Sequence, residues 1–465
     1  MNFFHNLYKR KKYTVIFDQI TNSDVSNKDL ILNSLKLLKN FQKKGLKKGD
    51  KILIEIENCK EYFYIIVACA LGGFIACPLD PKLKKNTKDN IKLRIVPDLI
   101  ITKKHNLKFD EIKDITFKEP NYENNFLVIQ TSGTTGENKG IVLSLKSILL
   151  SAKNYSNLSH LGKKSKILHH LPMYYMAGIL NLFFSPLVAT SKIILTNVTG
   201  TLEYLNFWEK VFKFKITNLN LTPTMCYAFI NLSSNNKSTL RKISSLKDII
   251  CIGSKLHANT YKKFQKIFKI NLRQCYGITE CGGPITVQKR SKKLEINCGN
   301  WGKKTRIKII DNLIMIKNDF LMTGYLKNRK IEKIKKKKGF FNTLDVGRII
   351  KDSLYISGRK KEIVKIGSEL VSLYKIEEVA LEYDQILESA TICKEDELKG
   401  EKIYLFITKI NNNFKDKIIV SNTMKYLRNK LKSAEIPDEI VLLEKMPLNS
   451  NNKLDKNKLL KLIKK

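Results

Sequence analysis

A dense group of small and hydroxylated residues follows an apolar segment early in the chain. Residues 126–129 are apolar and partly β-branched, which predicts a buried strand. Directly after them come Thr131, Ser132, Gly133, Thr134, Thr135, Gly136 and Lys139. Short hydroxyls and backbone N–H groups gathered in one concavity bind phosphate oxygens, and glycines let the backbone approach closely. The stretch therefore indicates a phosphate-binding loop.

The spacing of this loop excludes one common type of phosphate site. In the pattern G-x-x-x-x-G-K-[ST] a lysine directly follows the last glycine, whereas Lys139 lies three residues beyond Gly136. A mobile hairpin rich in glycine and threonine is the structural alternative. Other segments of the chain must decide between the two interpretations.

A second group of polar residues lies in residues 271–283, which read NLRQCYGITECGG. A Mg²⁺ ion between phosphates requires oxygen ligands, and the Glu280 carboxylate is one. The alternative is a capped helix with Thr279 and Glu280 in its first turn, where a carboxylate is favoured by the helix dipole. That alternative is credible only if the phosphate loop is ignored.

The elements that position these residues alternate between helix and strand. The patterns predict helices over residues 29–41 and 61–71, and strands over residues 51–56, 74–79 and 99–102. Such alternation is typical of an α/β sheet with helices on both faces. Near the C-terminus we expect strands at 390–393 and 402–409 and a helix over 422–431.

The composition limits the classes of partner. The chain has 85 Lys and Arg residues against 43 Asp and Glu residues, a net charge of +42. The basic residues are spread along the whole chain, Lys far exceeds Arg, and Ile and Asn are also abundant, which is typical of A/T-rich codon usage. We therefore expect no specific nucleic-acid partner.

Cysteines and apolar runs bear on the cellular compartment. The nine cysteines include no C-x-x-C pair, so neither a disulfide framework nor a zinc site is indicated, and a reducing cytoplasm fits best. Residues 62–79 and 171–191 are uncharged but are interrupted by glycine, proline or asparagine. Such runs favour buried helices followed by core strands, with at most peripheral membrane contact.

Several motifs, in the right order, resemble those of the adenylate-forming superfamily of acyl-CoA synthetases, luciferases and peptide-synthetase adenylation domains. Residues 131–140, TSGTTGENKG, resemble its phosphate loop, and residues 276–280 match Y-G-x-T-E in full. The resemblance implies that Tyr276 stacks near adenine beside Gly277, that the Thr279 hydroxyl touches phosphate, and that Glu280 reaches Mg²⁺. It also implies that Gly253 and Ser254 line the adenine and acyl sites, although Ser254 and Lys255 replace the usual small residue and proline.

The same resemblance extends toward the C-terminus. Residues 339–347, GFFNTLDVG, are similar to G-W-F-x-T-G-D-x-G, so that Asp345 would accept the ribose hydroxyls, while Leu344 replaces a glycine and costs backbone freedom. Arg359 would also hold the ribose, and Lys361 occupies the hinge position. Lys453 matches the essential lysine of the closing signature, in which Asn452 replaces the customary glycine.

The segment LHHLPMYYMAGIL, residues 168–180, is similar to the family pattern L-P-x-F-H-x-x-G. Tyr175 stands at the histidine position and would gate the carboxylate pocket. The alternative is that Tyr174 and Tyr175 are simply core aromatic residues. Amino-acid-activating members place an aspartate near this position to pair with the substrate ammonium, and a tyrosine carries no charge at neutral pH. An α-amino acid is therefore a poor substrate.

The resemblance covers almost the whole chain and implies an α/β fold in two parts. We expect a large N-terminal AMP-binding domain of layered sheets with flanking helices over residues 1–357, and a smaller, mobile C-terminal α/β lid over residues 358–465. The implied activity is that of an ATP-dependent acid-thiol ligase, which activates a carboxylic acid as acyl-AMP and transfers it to CoA with the help of Mg²⁺.

Two other functions are left open by the sequence. The enzyme could load an acyl carrier protein in place of free CoA, and a degenerate, non-catalytic basic homologue is the alternative outside enzymes. The expected acid is a fatty or aryl acid, and the expected location is cytoplasmic.

Overall fold

Helices and strands alternate through most of the chain in the computed structural model, which describes residues 2–112, 115–132, 138–196, 201–232, 236–254, 256–291, 297–327, 330–366, 369–396, 400–410, 415–448 and 454–463. The strands are β1 (Thr14–Asp18), β2 (Ser23–Ser26), β3 (Lys51–Ile54), β4 (Ile75–Pro78), β5 (Leu99–Ile101), β6 (Asn125–Ser132), β7 (Asn138–Ser144), β8 (Lys166–His169), β9 (Lys192–Leu195), β10 (Asn218–Leu221), β11 (Asp248–Cys251), β12 (Leu272–Ile278), β13 (Gly283–Val287), β14 (Asn300–Trp301), β15 (Thr305–Ile310), β16 (Leu313–Asn318), β17 (Gly324–Lys327), β18 (Lys330–Lys333), β19 (Phe341–Ile350), β20 (Ser353–Arg359), β21 (Ile363–Ile366), β22 (Glu369–Ser372), β23 (Ile386–Asp396), β24 (Gly400–Lys409) and β25 (Glu439–Leu442). The helices are α1 (Phe3–Lys9), α2 (Asn27–Lys43), α3 (Lys60–Gly72), α4 (Lys85–Ile95), α5 (Leu145–Leu158), α6 (Ser185–Ala189), α7 (Thr201–Leu205), α8 (Phe207–Lys213), α9 (Pro223–Leu232), α10 (Asn236–Lys242), α11 (Ala258–Phe268), α12 (Leu373–Glu382), α13 (Asp416–Arg428) and α14 (Lys456–Leu462).

Two large mixed sheets form the N-terminal part of the molecule. Within the described residues, one runs in the order β14-β13-β12-β11-β10-β8-β9-β1-β2 and the other in the order β18-β17-β7-β6-β4-β3-β5. Their central strands are parallel, as in β10 with β11 and β3 with β4, and helices connect them. The predicted α/β class with layered sheets and flanking helices is confirmed.

The predicted helix over residues 29–41 corresponds to α2, which begins two residues earlier. The Ser26 side chain accepts a hydrogen bond from the Asp29 backbone N–H, and the Asp29 carboxylate accepts one from the Ser26 N–H. This reciprocal cap satisfies N–H groups that have no partner within the helix. The predicted helix over 61–71 and the three predicted strands correspond to α3, β3, β4 and β5.

The two uncharged runs are core elements, as predicted. Residues 62–70 of α3 are all buried, and β4 follows them into the centre of a sheet. In the second run, Ala177–Phe184 forms a wide helix with i→i+5 hydrogen bonds, which α6 continues. In the part of the chain that the structure describes, no helix has the length and apolar character needed to cross a membrane.

The C-terminal part has its own sheet and core. Strands β23, β24 and β25 form one sheet, and Val371, Ile376, Leu405, Ile419 and Leu427 belong to one buried cluster. The helix predicted over residues 422–431 was placed wrongly, because α13 spans Asp416–Arg428. Its buried positions Ile419, Thr423 and Leu427 recur every four residues, so the helix must begin before Ile419 to present them to the core.

Helix α12 of this part lies against α11 of the N-terminal part. The Asn259 Nδ2 donates to the Leu381 carbonyl at 2.7 Å, and the His257 ring stacks on the Tyr374 ring with centroids 5.6 Å apart. The domain boundary at residues 357 and 358 stays a prediction.

Strand β19 contains a backbone irregularity at the site-bearing end. Leu344 has a φ of +61° and is 44% exposed, and its N–H donates to the Asn342 Oδ1 at 2.9 Å. A side chain in this left-handed conformation costs about 1–2 kcal/mol relative to glycine. Asp345 still pairs with Arg359 of β20, whereas the pairing of β19 with β16 shifts its register between Asn342 and Val346.

A buried ion pair joins β11 to β12. The Arg273 and Asp248 side chains are 2% and 1% exposed, and the Arg273 guanidinium donates to the Asp248 Oδ2 at 2.5 Å. Arg273 also donates to the backbone carbonyls of Gln288 at 2.6 Å and Leu158 at 2.7 Å. The pair therefore fixes the strand that leads into Tyr276.

We predict that Asp248→Ala lowers the free energy of unfolding by about 3–5 kcal/mol, because it leaves a buried guanidinium without its carboxylate. Denaturant unfolding measures the change. The control is Glu332→Ala, which breaks an exposed pair with Lys327 and should cost less than about 1 kcal/mol. Equal losses in the two variants would contradict a special role for the buried pair.

We predict that Leu344→Gly raises the free energy of unfolding by about 0.5–1 kcal/mol, because glycine adopts a positive φ without a Cβ clash while losing more entropy on folding. Leu344→Ala is the control, since it removes the exposed side chain but keeps the Cβ and should bring no gain. A gain in the alanine variant equal to that in the glycine variant would show that the backbone is not strained.

Candidate active site

The predicted phosphate loop is the tip of the hairpin formed by β6 and β7. Thr131 pairs with Lys139 across the hairpin, Ser132 pairs with Asn138, and the Thr131 hydroxyl donates to the Lys139 carbonyl at 3.5 Å. Four predicted residues, Gly133, Thr134, Thr135 and Gly136, lie outside the described residues. The hairpin brings both ends of the loop together at one end of β6 and β7, and β7 pairs with β17.

Strand β17 brings an aromatic residue to the base of this hairpin. Tyr325 pairs with Ile141 of β7, and the Lys139 Nζ lies 5.3 Å from the centroid of the Tyr325 ring. This distance is within the range of a cation–π interaction. Lys139 is thus held at the end of β7 by a residue far from it in sequence.

Strand β12 positions the residues of the Y-G-x-T-E segment. Tyr276 and Gly277 lie in β12, and Thr279–Cys281 forms one 3₁₀ turn before β13. The alternative of a helix starting at Thr279 is wrong, because β13 begins at Gly283. A Cβ on Gly277 would lie 2.2 Å from the Gly283 carbonyl oxygen, so only glycine allows this close approach of the two strands.

Asp345 joins Tyr276 to Arg359 in the interior of the site. The Tyr276 hydroxyl donates to the Asp345 Oδ2 at 2.6 Å, and the Arg359 Nε lies 3.0 Å from the Asp345 Oδ1. Asp345 is 4% exposed, whereas the Arg359 side chain is 52% exposed. Burial raises the pKa of Asp345, and the nearby Arg359 and the Tyr276 hydroxyl oppose the rise. The sequence analysis assigned Tyr276, Asp345 and Arg359 separate roles toward the nucleotide. In the structure Asp345 contacts both of the other two.

Glu280 lies close to the same group. The pKa of Glu280 is raised, mainly by burial and also by the nearby Asp345. The charges of Arg359 and Lys139 oppose this rise. The Tyr325 hydroxyl donates to the Glu280 Oε1 at 3.5 Å. The geometry therefore gathers two carboxylates and two cations from four segments at one end of the sheets.

This arrangement fits the expected magnesium ion. Mg²⁺ in nucleotide sites is held by one or two carboxylates together with substrate phosphates and water. Glu280 is a half-buried carboxylate whose pKa is raised by burial, and a bound cation would compensate for this desolvation. Among the described residues no group of three or more metal-ligating side chains is found.

The predicted gate lies in a short segment after β8. The Tyr174 and Tyr175 rings meet edge to face with centroids 4.6 Å apart, and both are half-buried. Burial and the nearby Asp80, a buried carboxylate just after β4, raise the pKa of Tyr174. Sequence reasoning missed Asp80, although a charged residue directly after an apolar strand is a recognisable signal. The gating role of Tyr175 stays a prediction.

The remaining predicted residues are spread around this site. Gly253 and Ser254 are exposed directly after β11, and Lys255 lies outside the described residues. Lys361 is exposed in the 3₁₀ turn Lys360–Glu362 that follows Arg359. Lys453 also lies outside the described residues, so its proximity to the site stays a prediction.

The sequence analysis missed an ionic cluster next to the predicted hinge. The Lys456 Nζ lies 2.9 Å from the Glu362 Oε1 and 3.6 Å from the Glu377 Oε1. Burial raises the pKa of Glu377 to about 7. Lys456 begins α14, so this cluster connects the C-terminal helix to the turn that carries Lys361. No pattern in the sequence indicates these pairs, because the partners lie far apart along the chain.

Two family models match the chain. The model described as AMP-binding enzyme matches residues 98–326, and the model of the AMP-binding enzyme C-terminal domain matches residues 375–453. Together they cover well over half of the chain. The first contains the hairpin of β6 and β7, Tyr276, Glu280 and Tyr325, and the second ends at Lys453.

Several curated relatives are CoA ligases by name. A peroxisomal butyrate–CoA ligase of Arabidopsis thaliana is 26% identical over 359 residues, which is 71% of this chain and 61% of the plant protein. The chain thus matches less than two thirds of that relative's length. A 2-succinylbenzoate–CoA ligase of Listeria monocytogenes is 24% identical over 453 residues, covering 89% of each chain.

Solved structures share the fold over nearly the whole chain. The ATP-bound MatB of Rhodopseudomonas palustris matches with a TM-score of 0.86 and 18% identity, covering 98% of each chain. The o-succinylbenzoate CoA synthetase of Bacillus subtilis, bound to its acyl-adenylate intermediate, matches with a TM-score of 0.84 and 20% identity, covering 98% of this chain and 97% of its own. These matches show the shared fold, and the two family models show that the chain belongs to the adenylate-forming family of AMP-binding enzymes.

Proposed function

We propose that this protein is an AMP-forming acyl-CoA synthetase that activates a carboxylic acid with ATP and transfers the acyl group to CoA. The observation that carries the proposal is the contact of Tyr276, Asp345 and Arg359 beside Glu280 and the hairpin of β6 and β7. These are the residues to which the resemblance assigns contacts with the ribose, adenine, magnesium and phosphates. The names of the curated relatives support a CoA ligase.

In the first half-reaction the acid carboxylate attacks the α-phosphorus of ATP and pyrophosphate leaves. Two anions must approach each other, so the barrier is largely electrostatic. Lys139 and Lys453 would neutralise the phosphates, and Asp345 would fix the ribose. Glu280 would hold Mg²⁺, which when bound shields the phosphate charges from the incoming carboxylate.

In the second half-reaction the CoA thiol attacks the acyl carbon and AMP leaves. We propose that residues 358–465 rotate about Lys361 between the two steps, removing Lys453 and bringing the hairpin of β21 and β22 to the site. Leu370 in this hairpin is 75% exposed, as expected of a residue that makes its contacts in another arrangement. The Lys456 pairs with Glu362 and Glu377 lie within this part, so the hinge turn and α14 would move together.

The proposed acid is a fatty or aryl acid and the proposed location is the cytoplasm. The matched relatives act, by name, on butyrate, benzoate or 2-succinylbenzoate, which spans both classes of acid. Tyr175 in place of an aspartate supports an acid without an ammonium group.

The proposal is tested by pyrophosphate release over short, medium and long fatty acids and aryl acids. We expect release only when ATP, Mg²⁺ and a suitable acid are all present, and thioester formation after CoA is added. Acyl transfer to a purified acyl carrier protein but not to CoA would support the carrier-loading alternative. Binding of DNA that weakens steeply with salt, without pyrophosphate release for any acid, would support the non-catalytic alternative.

We predict that Asp345→Asn raises the KM for ATP about 10-fold or more, because the neutral amide loses the charge that orients Arg359 and accepts the ribose hydroxyls. Steady-state pyrophosphate release at saturating acid measures the change. Asp352→Asn is the control, since Asp352 lies exposed in the turn between β19 and β20. An unchanged KM in the Asp345 variant would remove Asp345 from the ribose site.

A further inference from the structure

Tyr325 touches two groups of the proposed nucleotide site that come from different segments. Its hydroxyl donates to the Glu280 Oε1 at 3.5 Å, and the face of its ring lies 5.3 Å from the Lys139 Nζ. Glu280 belongs to the turn after β12, and Lys139 belongs to β7. The two contacts use different parts of the same side chain, so that neither excludes the other.

The backbone around Tyr325 is fixed to both segments. Tyr325 pairs with Ile141 of β7, and the Thr323 N–H donates to the Val142 carbonyl at 2.8 Å. The Met322 N–H donates to the Glu280 carbonyl at 2.9 Å. A side chain on this strand therefore keeps a defined position relative to both partners, and its contacts are not made by a mobile loop.

Resting on the proposed function, we propose that Tyr325 is a positioning residue that holds the Glu280 carboxylate and the Lys139 ammonium at a fixed separation, so that the magnesium ligand and the phosphate-binding cation meet the same triphosphate. Mg²⁺ requires nearly ideal octahedral geometry, so a carboxylate that turns freely would bind it poorly. A hydrogen bond from a neighbouring group commonly orients a metal ligand in this way.

The hydroxyl and the ring have separate tasks. The Tyr325 hydroxyl donates a hydrogen bond to the Glu280 carboxylate. The ring face attracts the Lys139 ammonium through its negative quadrupole. Phenylalanine would keep the ring that attracts Lys139 and lose the hydroxyl that contacts Glu280. Tyr325→Phe therefore separates the two contacts.

The experiment measures ATP binding by calorimetry, with Mg²⁺ and with EDTA, in the full-length protein. We expect Tyr325→Phe to weaken ATP binding about 5-fold in Mg²⁺, the effect of losing one hydrogen bond, and to leave binding in EDTA within about twofold. Tyr325→Leu should weaken binding in both conditions, because Lys139 also loses the ring. The matched control is Tyr355→Phe, which removes a hydroxyl from a half-buried tyrosine whose ring faces Arg348 at 5.9 Å.

The outcomes separate this inference from the proposed function. If Tyr325→Phe binds ATP like the wild type in Mg²⁺, or loses affinity equally in Mg²⁺ and EDTA, Tyr325 has no role toward Glu280 and the inference is overturned. If the wild type itself binds no ATP, the proposed function fails. The phenylalanine arm decides the inference even if the leucine variant does not fold, since phenylalanine keeps the ring that packs in the sheet.

Discussion

The site depends on the compensation of carboxylates that are removed from water. Glu280 and Asp345 both have a raised pKa because of burial, and each lies within the electrostatic reach of Arg359. An ionised carboxylate in such surroundings is stable only with cations and hydrogen-bond donors around it. Tyr276, Tyr325 and Lys139 supply part of this compensation. In the proposed function, a bound magnesium nucleotide would supply the rest.

The sheets create this concentration of charge by bringing strand ends together. Tyr276 comes from the end of β12, Asp345 from β19, Arg359 from the end of β20, and Lys139 from the start of β7. The backbone of these residues is held by the hydrogen bonds of the sheet, while their side chains project from it. Gly277 and Gly283 also contribute, because their close approach lets β12 and β13 converge. The Thr279–Cys281 turn between these two strands carries Glu280.

The C-terminal part has its own sheet and core. Among the described residues its contacts with α11 include an amide-to-carbonyl hydrogen bond, a ring stack and an ion pair between Lys263 and Asp384, whereas the cluster of Lys456, Glu362 and Glu377 lies inside it. Interfaces of this polar character are typical of domains that change their relative position. The same chain could then offer two arrangements of residues to one bound intermediate.

The sequence by itself determined the fold class and most of the main elements, and it indicated a set of candidate site residues. Alternating helix and strand patterns predicted α2, α3, β3 and β4 within a few residues, since local periodicity reports burial directly. Short motifs around Tyr276, Asp345 and Arg359 indicated nucleotide chemistry, because phosphate, ribose and Mg²⁺ each require particular donor atoms. The position of α13 was wrong, since one helical face in a polar segment can be aligned in more than one register.

Only the tertiary structure decided which of these residues meet. The contacts of Asp345 with Tyr276 and Arg359, of Tyr325 with Glu280 and Lys139, and of Asp80 with Tyr174 join segments up to about 190 residues apart. Strand order and register set such distances, and they follow from the packing of the whole chain. The sequence therefore named the chemical groups, while the packing of the sheets determined their partners and the burial that changes their pKa values.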